Sequence, residues 1–150
     1  MIFTPTLNYN GPASFSYTVQ DNGTTNGVSD PKTSTANVTF TINSVNDAPT
    51  FTKGANQTVA EDAGAQSVSG WATAISAGAA NESTQTLTFN VSNNNSSLFS
   101  VQPSIDAFGN LTYMTTGTGS ATVSVVLSDN GGTANGGIDT TAAQTFAITV

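Results

Sequence analysis

The sequence contains no cysteine and no histidine, and its only basic residues are two lysines, Lys32 and Lys53. Without cysteine and histidine the chain offers no thiolate zinc ligand, no thiol nucleophile and no imidazole base. The enzymes and metal sites that depend on those side chains are therefore excluded. The absence of cysteine is equally compatible with a bacterial extracellular protein and with a cytosolic one.

Charge is scarce and mostly of one sign. Only 7% of the 150 residues are charged. Nine residues are acidic and two are basic, which gives a net charge of −7. A nucleic-acid binder uses lysine and arginine to displace phosphate counterions, and an anionic membrane surface attracts the same residues. No apolar run approaches the roughly 20 residues that span a bilayer. We therefore expect no nucleic-acid partner and no direct membrane insertion, with any secretion signal lying in a larger parent protein.

Part of the sequence occurs twice. The segment from Gly11 to Gly23 lies 108 positions before the segment from Gly119 to Gly131, with six of thirteen residues identical and the apolar positions in the same phase. Self-similarity at a fixed spacing is typical of a tandem repeat. The sequence therefore predicts about one and a half copies of one unit, with the half copy first.

The repeated unit has the pattern of a β protein. Apolar and polar residues alternate with a period of two, and helical periodicity is missing. Seven such runs, separated by Gly, Asn, Ser and Asp clusters, lie within residues 51–59, 68–75, 87–91, 99–101, 111–113, 121–127 and 146–150. Seven alternating strands in about 100 residues are typical of a Greek-key sandwich. We predict an all-β, seven-stranded Ig-like sandwich, with Trp71 and Phe99 packed in its core.

The first copy is incomplete. Residues 1–45 match only the last three strands of the unit, because Ile2 and Phe3 align with the region of Leu111 and residues 38–42 align with 146–150. The predicted organisation is a C-terminal half repeat at 1–45, a linker at 46–49 and a complete repeat at 50–150. Three strands leave one apolar face uncovered. Either the chain is a fragment of a longer array, or another chain supplies the missing strands.

The sequence between the two copies is Val45-Asn46-Asp47-Ala48-Pro49. Pro49 lacks an amide donor and holds Ala48 extended, which suits a stiff connector. This segment resembles the linker of bacterial cadherin-like tandem repeats, found in large surface proteins and RTX-type adhesins. Two further motifs are similar to that family: Phe99-Ser100-Val101 followed by Asp106 and by residues 109–111, and the late strand of residues 125–131 that ends in Asp129. The resemblance covers nearly the whole chain and implies a cadherin-like β-sandwich.

In that family calcium ions lie between consecutive domains, so the resemblance implies Ca²⁺ as a possible cofactor at this junction. Carried over position by position, the junction ligands would be Asn46, Asp47, Glu82 and Asp129. Glu61 and Asp106 match acids that would face the following junction, and Asp21 is the repeat equivalent of Asp129. The family's paired acids are reduced here to Glu82 alone. The alternative interpretation of Asp21-Asn22-Gly23 and of Asp129-Asn130-Gly131 is a pair of hairpin turns.

These features together predict a non-catalytic structural repeat of an extracellular bacterial adhesin or surface fibre, whose partners are neighbouring repeats or subunits. Adjacent acids such as Glu61 and Asp62 point to opposite faces of a strand, so they do not form a glycosidase pair. The alternatives are a filament subunit completed by a neighbour's strands, a carbohydrate- or protein-binding module with Tyr9 as its best exposed aromatic residue, and an accessory domain of a larger secreted enzyme.

Overall fold

Period-two alternation builds almost all the regular structure of this chain, because it places apolar side chains on one face of each strand. The computed structural model describes residues 2–150. It consists of two compact units, Met1–Ser44 and Val45–Val150. Within the described range no helix has the length and hydropathy needed to cross a membrane. The all-β class predicted from the sequence is confirmed.

The first unit is a long hairpin with a smaller hairpin at its tip. Its strands are β1 (Gly11–Gln20), β2 (Thr24–Thr25), β3 (Val28–Ser29) and β4 (Thr33–Ile42). β1 and β4 pair antiparallel without interruption over ten residues each. β2 and β3 are joined by Asn26 and Gly27, whose φ angles are 53° and 78°. Two consecutive positive φ angles are those of a type I′ hairpin turn, which explains the Asn-Gly pair.

The predicted strand at Ile2 and Phe3 does not form, and residues 2–10 contain no strand. In the second unit the equivalent strand is held by two neighbouring strands, and neither neighbour has a counterpart among residues 2–44. A strand without a pairing partner has no ladder of hydrogen bonds to hold it. Phe3 packs instead through its ring, which lies edge-on to Phe40 at a centroid distance of 5.0 Å.

The second unit contains nine strands that correspond to the seven predicted runs. They are β5 (Thr50–Thr52), β6 (Gln57–Thr58), β7 (Ala65–Val68), β8 (Thr73–Ser76), β9 (Thr88–Asn93), β10 (Phe99–Ile105), β11 (Leu111–Thr115), β12 (Ser120–Ser128) and β13 (Gln144–Thr149). Short 3-10 turns lie at Ala80–Glu82, Ser96–Leu98 and Ala134–Gly136. The first predicted run is divided into β5 and β6, and the second into β7 and β8.

These strands form a sandwich. One sheet has the order β6-β13-β12-β9, another has the order β10-β11-β7, and β5 and β8 form a separate two-stranded sheet. The divided first run contributes to two different sheets, because β6 pairs parallel with β13 whereas β5 pairs antiparallel with β8. Residues 46–49, predicted as a linker, group with this second unit.

The core lies between the two sheets. Alternate residues of β12 are at most 1% exposed: Ala121, Val123, Val125 and Leu127. The predicted anchors Trp71 and Phe99 are both buried. The indole of Trp71 packs against the ring of Phe146 with a centroid distance of 4.3 Å and an interplanar angle of 43°, and its Nε1 donates to the Ala55 carbonyl at 3.0 Å. Burial of this continuous apolar cluster is the main stabilising contribution to the sandwich.

The sequence repeat reappears as a repeat of strand register. In the first unit Gly11 pairs with Ile42 and Phe15 pairs with Val38. Adding 108 to Phe15 and Val38 gives Val123 and Phe146, which pair in the second unit. The same offset relates every pair from Pro12–Thr41 to Tyr17–Ala36 to its counterpart in β12 and β13. The two hairpins are therefore the same structural element.

Candidate functional site

Asn46 is bound into the end of the second unit by hydrogen bonds from both ends of its side-chain amide. Its Nδ2 donates to Asp129 Oδ1 at 2.9 Å and to the Ile138 carbonyl at 2.8 Å. Its Oδ1 accepts from Gln85 Nε2 at 2.7 Å. The Ile138 amide in turn donates to the Asn46 carbonyl at 3.0 Å. One side chain thus connects three segments that lie far apart in the sequence.

Glu82 holds the next residue of the linker. It lies in the 3-10 turn Ala80–Glu82 and is only 4% exposed. The Asp47 amide donates to its Oε1 and Oε2 at 3.1 and 3.3 Å, and the Ala79 amide donates to Oε2 at 3.3 Å. A buried carboxylate is tolerated when such donors satisfy it. We call the contacts of Asn46 and Asp47 with Gln85, Glu82, Asp129 and Ile138 the linker clamp.

Two glycines make the close approaches of the linker clamp possible. A Cβ atom on Gly78 would lie 2.5 Å from Glu82 Oε2 and 3.0 Å from the Asp47 carbonyl oxygen. A Cβ atom on Gly131 would lie 1.8 Å from Asn46 Oδ1. Gly78 also has a φ of 130°, which residues with a side chain rarely adopt. These positions have no room for a side chain.

Asp129 also forms a turn. Its Oδ1 accepts from the Gly131 amide at 2.9 Å, two residues along the chain. Asp21, the repeat equivalent, accepts from the Gly23 amide at 3.1 Å and from the Lys32 amide at 2.8 Å. These backbone donors hold the pKa of Asp21 below its usual range. Both carboxylates therefore close an Asx turn. This is not the hairpin turn of the alternative interpretation, since the hairpin turn of the first unit lies at Asn26 and Gly27.

The oxygen atoms at the linker clamp are mostly occupied by amide donors. Within residues 2–150 no three acidic side chains are grouped closely enough to hold a metal ion. Two buried oxygens, Asp129 Oδ2 and Gln85 Oε1, accept no hydrogen bond from the described residues. Calcium takes six to eight oxygen ligands, water included. The linker clamp therefore offers a cation two unoccupied buried oxygens, on two side chains that both bond Asn46.

The other predicted ligands do not lie together. Glu61 lines a shallow cavity of about 410 Å³ with Thr115 and Thr116, at the end of β11, whereas Asp106 precedes the start of β11. The five residues of that strand separate the two acids, so they do not form one site. Asp106 instead closes the β10–β11 turn. Its Oδ1 accepts from the Asn110 and Phe108 amides, both at 2.9 Å, and its Oδ2 accepts from Asn110 Nδ2 at 2.8 Å. These bonds, those from Asn110 above all, lower the pKa of Asp106.

Tyr9, the candidate for carbohydrate binding, is 43% exposed. Its hydroxyl donates to the Pro12 carbonyl, so the polar end of the ring is bound to the chain's own backbone. No second aromatic ring among the described residues pairs with it. This arrangement provides one exposed ring face and no platform of several rings.

Sequence reasoning missed Gln85 and the Ile138 carbonyl as partners of Asn46. Gln85 lies 39 positions from Asn46, and Ile138 lies 92 positions from it. A lone glutamine before a strand and a backbone carbonyl in a loop carry no sequence signal. Gly78 and Gly131 do carry one, since a glycine beside a predicted ligand indicates a close approach of another chain segment.

No protein-family model matches the chain, and no curated protein matches it.

Proposed function

We propose that this chain is a non-catalytic structural repeat that serves as a spacer in an extracellular bacterial adhesin or surface fibre. The observation that carries the proposal is the 108-residue offset, which relates β1 and β4 to β12 and β13 pair by pair. Equal register in two hairpins of one chain is typical of a tandem array, in which each unit repeats one supersecondary structure. The bacterial surface setting rests on the resemblance of the linker segment to cadherin-like repeats.

A spacer has to transmit direction from one unit to the next, and the linker clamp supports that role. Asn46 and Asp47 lie two and three residues after the end of the first unit, and both are hydrogen-bonded within the second. Pro49 is fully buried and restricts the chain to extended geometry at the next step. The connection therefore lacks the freedom of a flexible linker over residues 46–49.

Calcium is the proposed reinforcement of the linker clamp. A buried carboxylate oxygen without a donor costs free energy, and a bound cation removes that cost. Asp129 Oδ2 is such an atom, and Gln85 Oε1 is a second unsatisfied acceptor. When bound, calcium would supply positive charge in a chain whose net charge is −7. The residues that would hold it are Asp47, Gln85 and Asp129.

The test is a distance measurement between the two units by pulsed electron paramagnetic resonance. Because the sequence has no cysteine, the substitutions Ser14→Cys and Thr122→Cys introduce the only two labelling sites, on exposed residues of β1 and β12. We expect one narrow distance distribution, and we expect Asn46→Ala to broaden it. Asn43→Ala, an exposed asparagine three positions earlier, is the matched control and leaves the distribution narrow. A distribution that is already broad in the parent chain contradicts the spacer role.

A further inference from the structure

The apolar face of the β1–β4 hairpin is left open. We define the open face as the side chains of Phe15, Tyr17, Val19, Val38 and Phe40, which alternate along the two paired strands. Tyr17 is 45% exposed and Val19 is 59% exposed. Their repeat equivalents in the second unit, Val125 and Leu127, are both 0% exposed. The same element thus has a covered face in one unit and an open face in the other.

One cross-strand pair of the open face has the same total side-chain volume as its counterpart in the covered face. At one cross-strand pair the first unit has Phe15 opposite Val38, and the second unit has Val123 opposite Phe146. The large and the small side chain have exchanged strands, and the summed volume of the two side chains is unchanged. Cores tolerate hydrophobic exchange when total volume is kept. A solvent-facing surface would not need that compensation, so the pattern indicates a face that is built to be buried.

The second unit shows what covers such a face. Facing β12 and β13 is the sheet β10-β11-β7, which contributes the buried residues Leu111 and Tyr113, together with Trp71 and Phe51 from neighbouring segments. We call residues 50–115, which carry this cover, the covering half. The first unit contains one contact equivalent to those of the covering half. Phe3 lies 108 positions before Leu111 and packs on Phe40 at 5.0 Å.

We infer that the open face binds a covering half of this same repeat, provided by another polypeptide segment. The partner is a set of β-strands with one alternating apolar face, uncharged where it meets Phe15, Tyr17 and Phe40. Copies of this chain cannot cover one another's open faces by exchange. Each chain has two apolar hairpin faces, one in each unit, but only one covering half, and that half already packs on its own β12 and β13. The inference deepens the proposed repeat function by naming the partner of the first unit.

The experiment adds a covering half to the intact chain. A separate polypeptide of residues 46–117 is titrated into the full chain, and amide hydrogen exchange is followed in β1 and β4. An isolated hairpin is marginally stable, so these amides exchange readily before the addition. We expect their exchange to slow by about tenfold or more when the open face is covered. Tyr17→Asp on the open face abolishes the effect, and Ser16→Asp on the opposite face of β1 is the control that retains it.

A second arrangement makes the test independent of the solubility of that polypeptide. Residues 46–109 are joined directly before Ile2 of the chain, which restores the repeat spacing because Ile2 lies 108 positions before Asn110. We expect the same protection of β1 and β4 in this extended chain. If neither arrangement slows exchange in β1 and β4, the inference is overturned. It is also overturned if the intact chain alone forms a dimer in sedimentation that Tyr17→Asp removes, because the open face then packs on a second copy of itself. Neither result bears on the width of the distance distribution that tests the spacer role.

Discussion

Replacing Asn46 by alanine removes the centre of the linker clamp. The substitution deletes two donated hydrogen bonds, to Asp129 Oδ1 and to the Ile138 carbonyl, and one accepted from Gln85 Nε2. A hydrogen bond contributes about 1 kcal/mol net, and one to a charged group contributes about 1.5–3 kcal/mol. Because water can reach part of this site, we expect Asn46→Ala to lower the free energy of unfolding of the second unit by about 2–4 kcal/mol. A unit of this size then loses roughly 8–16 °C in melting temperature.

Trp71 provides the assay. It is the only tryptophan in the sequence and is 3% exposed in the core of the second unit, so its fluorescence reports the unfolding of that unit alone. Urea unfolding curves are compared for the parent chain, for Asn46→Ala and for the control Asn43→Ala. We expect the control to lie within about 0.5 kcal/mol of the parent, as exposed surface substitutions do. An Asn46→Ala curve that coincides with the control would falsify the structural role assigned to the linker clamp.

Four further outcomes are expected. Gly78→Ala lowers the stability of the second unit by about 2 kcal/mol or more, because its Cβ meets Glu82 Oε2, whereas the control Gly132→Ala, with a φ of 79° but open space around it, costs about 1 kcal/mol in urea unfolding. Tyr113→Phe leaves stability unchanged or raises it by about 1 kcal/mol, because the buried hydroxyl has no partner among the described residues. Burial also raises the pKa of Tyr113 above 10.0, because the ionised phenol is unfavourable in the core, so stability falls as the pH rises from 10.0 through the folded pKa, and Tyr113→Phe flattens this alkaline limb in pH-dependent melting. The lowered pKa of Asp106 gives a contribution that is present above pH 3.8 and is lost as the pH falls through the folded pKa, so Asp106→Asn reduces the slope of acid unfolding below pH 3.8. Millimolar calcium raises the melting temperature of the parent chain and not of Asp129→Asn; the absence of any shift in the parent contradicts the proposed ion.

The strands could be predicted from the sequence because their alternation is local. All seven runs of the complete repeat form strands, and Trp71 and Phe99 are buried as predicted. The division of the first run into β5 and β6 could not be predicted, because it depends on the parallel pairing of β6 with β13, more than 90 residues away. Gly54 lies at the crossing, where a Cβ would come within 2.5 Å of the Trp71 carbonyl oxygen. The glycine is visible in the sequence, but its neighbour is not.

The site was predictable in its membership and less so in its chemistry. The resemblance selects Asn46, Asp47, Glu82 and Asp129, and the structure brings all four to one end of the second unit. Two loops separated by an even number of strands lie at the same end of a sandwich, so a count of strands places these residues at one end. The hydrogen-bond partners do not follow from that count, because loop geometry decides whether a carboxylate accepts a hydrogen bond from an amide or stays free to bind a cation. The Asp47 amide reaches Glu82 only because Gly78 leaves space for the linker backbone.

One oxygen atom of Asp129 both closes a turn and holds the linker. Its Oδ1 accepts from Gly131, as Asp21 Oδ1 accepts from Gly23, so the carboxylate is needed for the turn in each copy of the repeat. In the first unit the same oxygen also accepts from the Lys32 amide, and in the second it accepts from the side chain of Asn46. The repeat thus conserves a turn whose carboxylate has capacity for one more donor. The preceding linker supplies that donor at Asp129, which connects folding of the sandwich to the fixing of its linker.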